Sequence, residues 1–162
     1  ASNMNWAKTR TLEAIAKFDA KVVIIDHLHY LLNMADLARA KNVSLLIGMM
    51  MREIKRFAVE TNTIIFLASH LTKTKLEEPP TIEDLRDSSF IAQEADFVLL
   101  IWRIANDDGE RKFLAKKKEK EYGTMSKIAV GKNRWNGKLG AVKMNYDKGR
   151  FLEITPLDEL KI

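Results

Sequence analysis

The 162 residues contain no cysteine, only three prolines and three histidines, and no run of 18 or more apolar residues. Without cysteine there is no disulfide framework and no thiolate zinc site. A reducing compartment fits, and the cytoplasm is the expected location. Three histidines leave little for a histidine metal cluster. The absent apolar run means that no membrane-spanning helix is encoded. Residues 1–10 also lack the apolar core of a signal peptide. What is present is a folding composition: 46% of residues are hydrophobic. That argues against disorder, and the length suits one domain of about 100–200 residues. The formal charge is +5, unevenly spread. Residues 103–150 hold 14 Lys and Arg against 6 Asp and Glu, while the rest hold 13 against 16. A basic C-terminal region on a near-neutral body points to a polyanion such as nucleic acid or nucleotide phosphate. A solvated charged surface is the competing reading.

Apolar periodicity organises the chain. Leu12, Ile15 and Ala16 give helical spacing within Trp6–Phe18. Lys21–Asp26 contains four consecutive β-prone residues, the pattern of a strand buried on both faces of a parallel sheet. From Val43 to Thr61, Ile47, Met50, Met51, Ile54, Phe57 and Ala58 recur at three- and four-residue steps, so a long amphipathic helix is expected. Met49–Met51 fit packing better than a metal or redox site. A second apolar strand follows at Thr63–Ser69 and ends in His70. Strand, helix, strand with continuous apolar runs is the βαβ pattern of an α/β fold. Leu71–Ile82 is a polar loop, Glu83–Ala95 a short helix and Phe97–Trp102 a third apolar strand. Asn106–Gly109 reads as a turn and Arg111–Glu121 as a charged stretch. Short strands at Ser126–Val130, Gly140–Tyr146 and Arg150–Ile154 are joined by turns containing Asn136-Gly137 and Lys148-Gly149. These predict antiparallel hairpins added to the parallel sheet. The expected organisation is a single domain over 1–162: a leading helix (1–20), a βαβ core (21–103) and a basic antiparallel extension (104–162).

Several positions carry chemistry. Asp26 closes an apolar strand at its carboxyl end, where open α/β sheets bind ligands. This fits a Walker B element, whose carboxylate holds the water shell of Mg²⁺; a capping role is the structural alternative. His70 ends the neighbouring strand and is placed to sense a γ-phosphate, although a lone histidine there more often has a structural role. His27, His29 and His70 are too few and too loosely placed in sequence to argue for a metal site. Arg86, Ser88 and Ser89 near a helix start form a phosphate-binding set, or a cap and a salt bridge. Lys132 and Arg134 put two cations beside a turn, where they could neutralise a transferring phosphoryl group or form a charged rim. Lys116–Lys118 fit solvated surface.

The order of these elements resembles the C-terminal, RecA-like ATPase domain of DnaB-type hexameric replicative helicases, especially the phage helicase-primase and Twinkle branch. Val22-Val23-Ile24-Ile25-Asp26-His27 is similar to their Walker B strand, and Ile65–Leu71 to their sensor strand. Asp84-Leu85-Arg86-x-Ser88, then Ile91, Gln93 and Asp96, resembles the D-L-R-x-S-x-x-I-x-Q-x-x-D signature. Lys132-Asn133-Arg134 with Gly137 and Gly140 matches K-x-R-x-x-G-x-x-G. The resemblance spans about Lys21 to Glu153. It implies that Asp26 organises Mg²⁺, that His70 contacts the γ-phosphate, and that Lys132 and Arg134 reach the nucleotide of a neighbouring subunit. It further implies that Arg86, with the backbone near Asp87 and Ser89, holds single-stranded DNA. Family members commonly have glycine where this chain has Ser89. Arg103 and Tyr146 match positions that flank the nucleotide base. The implied parent is an ATP-dependent helicase that translocates on single-stranded DNA and unwinds duplex. ATP and Mg²⁺ are its cofactors, none expected tightly bound to this chain. The implied partners are single-stranded DNA and further copies in a hexameric ring, with no membrane.

The phosphate cradle G-x-x-x-x-G-K-[ST] does not occur in these residues. Gly-Lys stands at 131–132 and 137–138, neither with the spaced glycine nor a following Ser or Thr. The chain therefore reads as the C-terminal half of an ATPase core: a partial RecA-like α/β fold with a mainly parallel sheet, flanking helices and an antiparallel hairpin extension. Alone it is expected not to turn over ATP. In the family sheet a P-loop strand lies between the equivalents of 63–69 and 97–102, so these two strands are expected either to pair directly or to recruit another chain. A non-catalytic single-stranded nucleic-acid-binding module, and a fragment of a RecA-type recombinase, are the alternative functions.

Overall fold

A helix ends where its last carbonyls find partners and its next residue leaves helical space. The first helix, α1 (Met4–Phe18), does so at Asp19, which turns to φ 51° while its N–H reaches the Ile15 carbonyl at 2.9 Å. The long helix α2 (Val43–Thr61) is bounded at both ends by asparagine. The Asn42 side chain accepts from the Leu45 N–H at 3.2 Å, capping an orphan donor. Asn62 sits in the left-handed region (φ 51°, ψ 44°), and its N–H closes on the carbonyls of Ala58 and Val59. The apolar stripe Ile47, Met50, Met51, Ile54 and Phe57 is buried as the spacing requires. Each such side chain contributes about 1.5–3 kcal/mol relative to exposure. Met50 and Met51 thus serve packing, whereas Met49 points to solvent.

The computed structural model describes residues 4–32, 38, 40–71, 79–85, 88–103 and 125–154, without the side chains of residues 88 and 89. They divide into two units, 1–75 with 82–95 and 76–81 with 96–162. In the first unit, β1 (Val22–Ile25) pairs in parallel with β2 (Ile64–Leu67), and α2 makes the crossover between them. Ile25 and Ile65 face Ala7 and Thr11 of α1 and Ile54 and Phe57 of α2. An ion pair between Lys8 and Glu53 joins the two helices. The strands are not buried on both faces. Val22 and Ile24, with their partners Ile64 and Phe66, form an open apolar face, Ile24 being 78% exposed. The helices cover one side of the pair, and no described element covers the other. A short 3-10 turn, Leu28–Leu31, follows β1 and buries Leu28 completely. A second, Ile82–Asp84, precedes α3 (Ser88–Glu94). Helix α3 packs on α2 where Gly48 admits the ring of Phe90, and Arg52 pairs with Glu94 at 2.8 Å.

The second unit is an antiparallel sheet in the order β3 (Phe97–Arg103), β4 (Met125–Asn133), β5 (Gly140–Asp147), β6 (Arg150–Glu153). Val98 faces Lys132 and Leu99 faces Val130, so Gly131 is the extra residue of a bulge. Lys148 (φ 45°) and Gly149 (φ 84°) make the tight turn between β5 and β6, as the right-handed twist of a two-residue hairpin requires. The hairpins expected from the turn residues are therefore present, and the fold is α/β with a parallel pair and an antiparallel extension. The third apolar strand belongs to that extension. It takes β4 as its partner and does not pair with β2, so direct closure of the family gap does not occur among the described strands. The turn expected at 106–109 and the charged stretch at 111–121 lie outside the described residues.

Candidate functional site

Parallel pairing in register brings two strand ends to one edge. Ile25 is opposite Leu67, and the ladder runs on: the Ala68 N–H donates to the Ile25 carbonyl at 3.0 Å, and the Leu28 N–H to the Ala68 carbonyl at 2.9 Å. Asp26 and His70 thus leave the sheet on the same side, both exposed. The Asp26–His27 peptide bond is cis. His27 links the two strand ends, its ring centroid 4.2 Å from that of His70 at 65°, edge against face. Nδ1 of His27 accepts the His29 N–H at 3.3 Å, capping the 3-10 turn. This assigns the His27 proton to Nε2 in the neutral ring. Tyr30 lies against the same ring, with centroids 4.6 Å apart. The three histidines, loosely placed in sequence, are thus neighbours in space. Among the described residues, however, no group of three His, Asp or Glu side chains is arranged to hold a metal.

An open groove of about 550 Å³ runs beside β1 between α1 and the 3-10 turn, lined by Trp6, Arg10 and Ile24 and reaching Asp26 and His27. It is mostly apolar and offers no phosphate cradle. Mg²⁺ prefers an octahedral oxygen shell, commonly one or two carboxylates completed by waters and substrate phosphates. A single exposed Asp26 fits that mode as the protein's share. It does not make a protein cage, so these residues fit a nucleotide-bound Mg²⁺ and not a free one.

The segment expected to hold DNA starts from a fixed point. Leu85 is buried and bridged antiparallel to Leu71, the residue after His70. Arg86 and Asp87 lie outside the described residues. Ser89 is in the first turn of α3. The remaining candidates stand in the second unit. Lys132 is half-buried near the end of β4, and Arg134 follows that strand. Arg134 donates its backbone N–H to the Asp96 carbonyl at 2.8 Å, and its Nη1 lies 3.3 Å from the Asp96 carboxylate. The last residue of one motif is therefore the partner of the arginine of the other. Strand register also places Arg103 and Tyr146 relative to each other. Arg103, Ser126 and Met144 form one row across the sheet, and Tyr146, two residues on from Met144, shares their face. Arg103 and Tyr146 are then two strand spacings apart, about 10 Å in the hydrogen-bonding direction. Phe151 stands opposite Tyr146, with ring centroids 5.1 Å apart. The structure thus groups Asp26 with His70, and Arg103 with Tyr146, and ties Arg134 to Asp96.

Sequence reasoning missed the His27 contact, the Asp96–Arg134 pair and the Tyr146–Phe151 pair. Only the last had a local signal, two aromatics flanking a Lys-Gly turn at hairpin spacing. Among the described residues, no helix is long and apolar enough to cross a membrane.

The sequence matches the DnaB-like helicase C terminal domain over residues 2–152. It is 37% identical over 138 residues to the replicative DNA helicase DnaB of Mycoplasma genitalium, covering 79% of this chain and 26% of that protein. With the Haemophilus influenzae DnaB it shares 31% identity over 143 residues, 85% of this chain and 27% of that one. The chain thus spans about a quarter of the length of these curated relatives. Two solved structures share the fold. One, of a DnaB-like replicative helicase described with its primase interactions, superposes with a TM-score of 0.73 at 23% identity, over 95% of this chain and 35% of that one. The other, a solved ATPase domain, gives 0.72 at 21% identity, over 95% and 52%. With its RecA-like fold and a family match that runs almost end to end, the chain belongs to the DnaB-like helicase C-terminal domains.

Proposed function

We propose that this chain is part of the motor of an ATP-dependent replicative DNA helicase, working in the cytoplasm as a ring of six copies on single-stranded DNA. The observation that carries the reading is the joint exit of Asp26 and His70 from the parallel pair, braced by the His27–His70 contact at 4.2 Å. The Asp26 carboxylate accepts hydrogen bonds from water bound to the metal of MgATP. His70, on the adjoining strand, contacts the γ-phosphate. Bound MgATP supplies a phosphoryl group whose transfer releases the free energy for movement. The protein's share of such chemistry is positioning and electrostatics rather than covalent participation. Lys132 and Arg134 present cations to the nucleotide of the adjoining subunit. Arg103 and Tyr146, on one sheet face, bracket the base. Arg86, with the backbone near Asp87 and Ser89, holds DNA phosphates. The leading helix, βαβ core and basic extension act as one domain of that motor.

The 162 residues contain no P-loop, so by themselves they bind DNA without turning over ATP. This keeps a second reading in view, a non-catalytic single-strand-binding module. One experiment tests both. Anisotropy of a labelled oligo-dT is measured with the chain over a range of salt, with and without MgATP, beside a phosphate-release assay. Affinity should fall steeply with salt and weaken in Arg86→Ala, with no phosphate released. Hydrolysis that survives repurification and vanishes in Asp26→Ala would overturn the inactive-alone reading. DNA affinity indifferent to Arg86→Ala would remove the assigned contact.

A further inference from the structure

Ion pairs between residues distant in sequence commonly fasten one element to another. Lys8–Glu53 joins α1 to α2, and Arg52–Glu94 joins α2 to α3. The pair between Arg134 and Asp96, 38 positions apart, has no such task. The backbones of β3 and β4 already meet there. Phe97 stands opposite Asn133, and the Arg134 N–H donates to the Asp96 carbonyl at 2.8 Å. The root of the arginine is thus fixed without its side chain. Its guanidinium nevertheless turns to the carboxylate of the same residue, with Nη1 at 3.3 Å from Oδ1. Both side chains stay about half exposed, at 49% and 41%.

That exposure matters. A guanidinium is always charged, and its planar fork takes carboxylate and phosphate oxygens in the same way. Asp96 therefore offers Arg134 the kind of partner that a nucleotide offers. A buried pair would be costly to separate. An exposed pair is weak, so the several negative charges of a polyphosphate displace one carboxylate. An arginine that serves a neighbouring copy also needs a partner of its own while no nucleotide is in reach.

We propose that Asp96 is a latch on Arg134: its carboxylate occupies the guanidinium within the subunit and is exchanged for the phosphates of a nucleotide held by the adjoining copy. This inference rests on the reading that Arg134 reaches that nucleotide, and it adds the group that withholds the arginine until phosphate arrives. Asp96 acts through Arg134 and is a positioning residue.

The test uses the whole chain, isotopically labelled in its arginine nitrogens. The Nε–H resonance of Arg134 is identified by its loss in Arg134→Lys. Sodium tripolyphosphate, the phosphate chain of ATP without its nucleoside, is titrated at low salt. Wild type should give a saturable shift at Arg134. Asp96→Asn should tighten that titration about two- to fivefold, the worth of an exposed ion pair. Asp96→Glu, which keeps a carboxylate, should stay closer to wild type than Asp96→Asn. Glu60→Gln controls for net charge. It makes the same change in charge and releases Arg56, 3.7 Å from Glu60 in the other unit, so the Arg134 titration should be unchanged. Melting should change little in Asp96→Asn, because the bond to the Asp96 carbonyl survives. Equal tightening in Asp96→Asn and Glu60→Gln assigns the effect to net charge and overturns the latch. Weaker or unchanged binding in Asp96→Asn also overturns it, and leaves Arg134 as a phosphate contact. An Arg134 resonance that tripolyphosphate does not move in any variant overturns both the latch and the nucleotide role of Arg134.

Discussion

Gly48 offers a substitution whose sign is decided by packing. It lies in the interior of α2, where glycine is less favourable than alanine by about 0.5–1 kcal/mol. On propensity alone Gly48→Ala stabilises the chain. The structure opposes this. A methyl at that position would lie 2.8 Å from Cδ1, 2.9 Å from Cγ and 3.2 Å from Cβ of Phe90. Turning the ring about its own axis moves only Cδ1, and a change of χ1 moves Cδ1 and Cγ, but neither relieves the third contact, because Cβ moves only with its backbone. Helix α3 must therefore shift. Overpacking of this kind costs about 1–3 kcal/mol. The net expectation is destabilisation of about 1 kcal/mol, which in a chain of this size lowers Tm by about 2–4 °C. Melting of wild type, Gly48→Ala, Phe90→Ala and the double variant separates the two effects. Without the Phe90 ring, alanine at 48 should become stabilising by about 0.5–1 kcal/mol. The reversal of sign is the coupling expected of two residues in contact. Because Ser88 and Ser89 begin α3 two residues after Arg86, Gly48→Ala should also weaken oligo-dT binding. A raised Tm for Gly48→Ala with Phe90 in place would refute the argument.

Three further substitutions probe the supports of the site. Leu28→Ala empties a fully buried position in the turn after His27 and should cost about 2–5 kcal/mol in urea unfolding. Asn62 ends α2 in the left-handed region, so Asn62→Gly should leave Tm nearly unchanged, whereas Asn62→Val should lower stability by about 1–2 kcal/mol. Asp96→Ala removes a carboxylate partner of Arg134 from a pair that is half exposed on both sides. Its effect on stability should stay below about 1 kcal/mol. Loss of the acidic group should tighten oligo-dT binding about two- to fivefold at low salt, and this gain should fade as salt rises.

What could be read from the sequence follows from where each piece of information resides. Helix α2 was legible because one face of one helix carries the whole signal, and Ile47, Met50, Met51, Ile54 and Phe57 are all buried. Asp26 and His70 were legible as a pair for a similar reason. A residue that closes an apolar run sits at a strand end, and parallel pairing places two such ends together. The hairpins were legible through Lys148-Gly149 and Asn136-Gly137: positive φ falls at Gly137 and Gly149, and at Lys148 as well. Partner choice was not legible. The apolar run at 97–103 marks a strand without saying whether its neighbour is parallel β2 or antiparallel β4. That is decided by register with a distant segment of the chain. The Asp96–Arg134 pair bridges 38 positions and leaves no periodic trace in the chain.

The same limit explains the open face of the parallel pair. Val22, Ile24, Ile64 and Phe66 are apolar because two covered faces suit this kind of strand, yet composition cannot name the element that covers each face. Helices α1 and α2 meet the face bearing Ile25 and Ile65. The opposite face stays in water among the described residues. The strands that carry Asp26 and His70 thus present an uncovered apolar surface among the described residues. Among the described residues of this unit, the geometry around Asp26 and His70 is held from one side only. Substitutions that loosen that side, Leu28→Ala first, should therefore disturb Asp26 and His70 more than the same loss would in a strand pair braced on both faces.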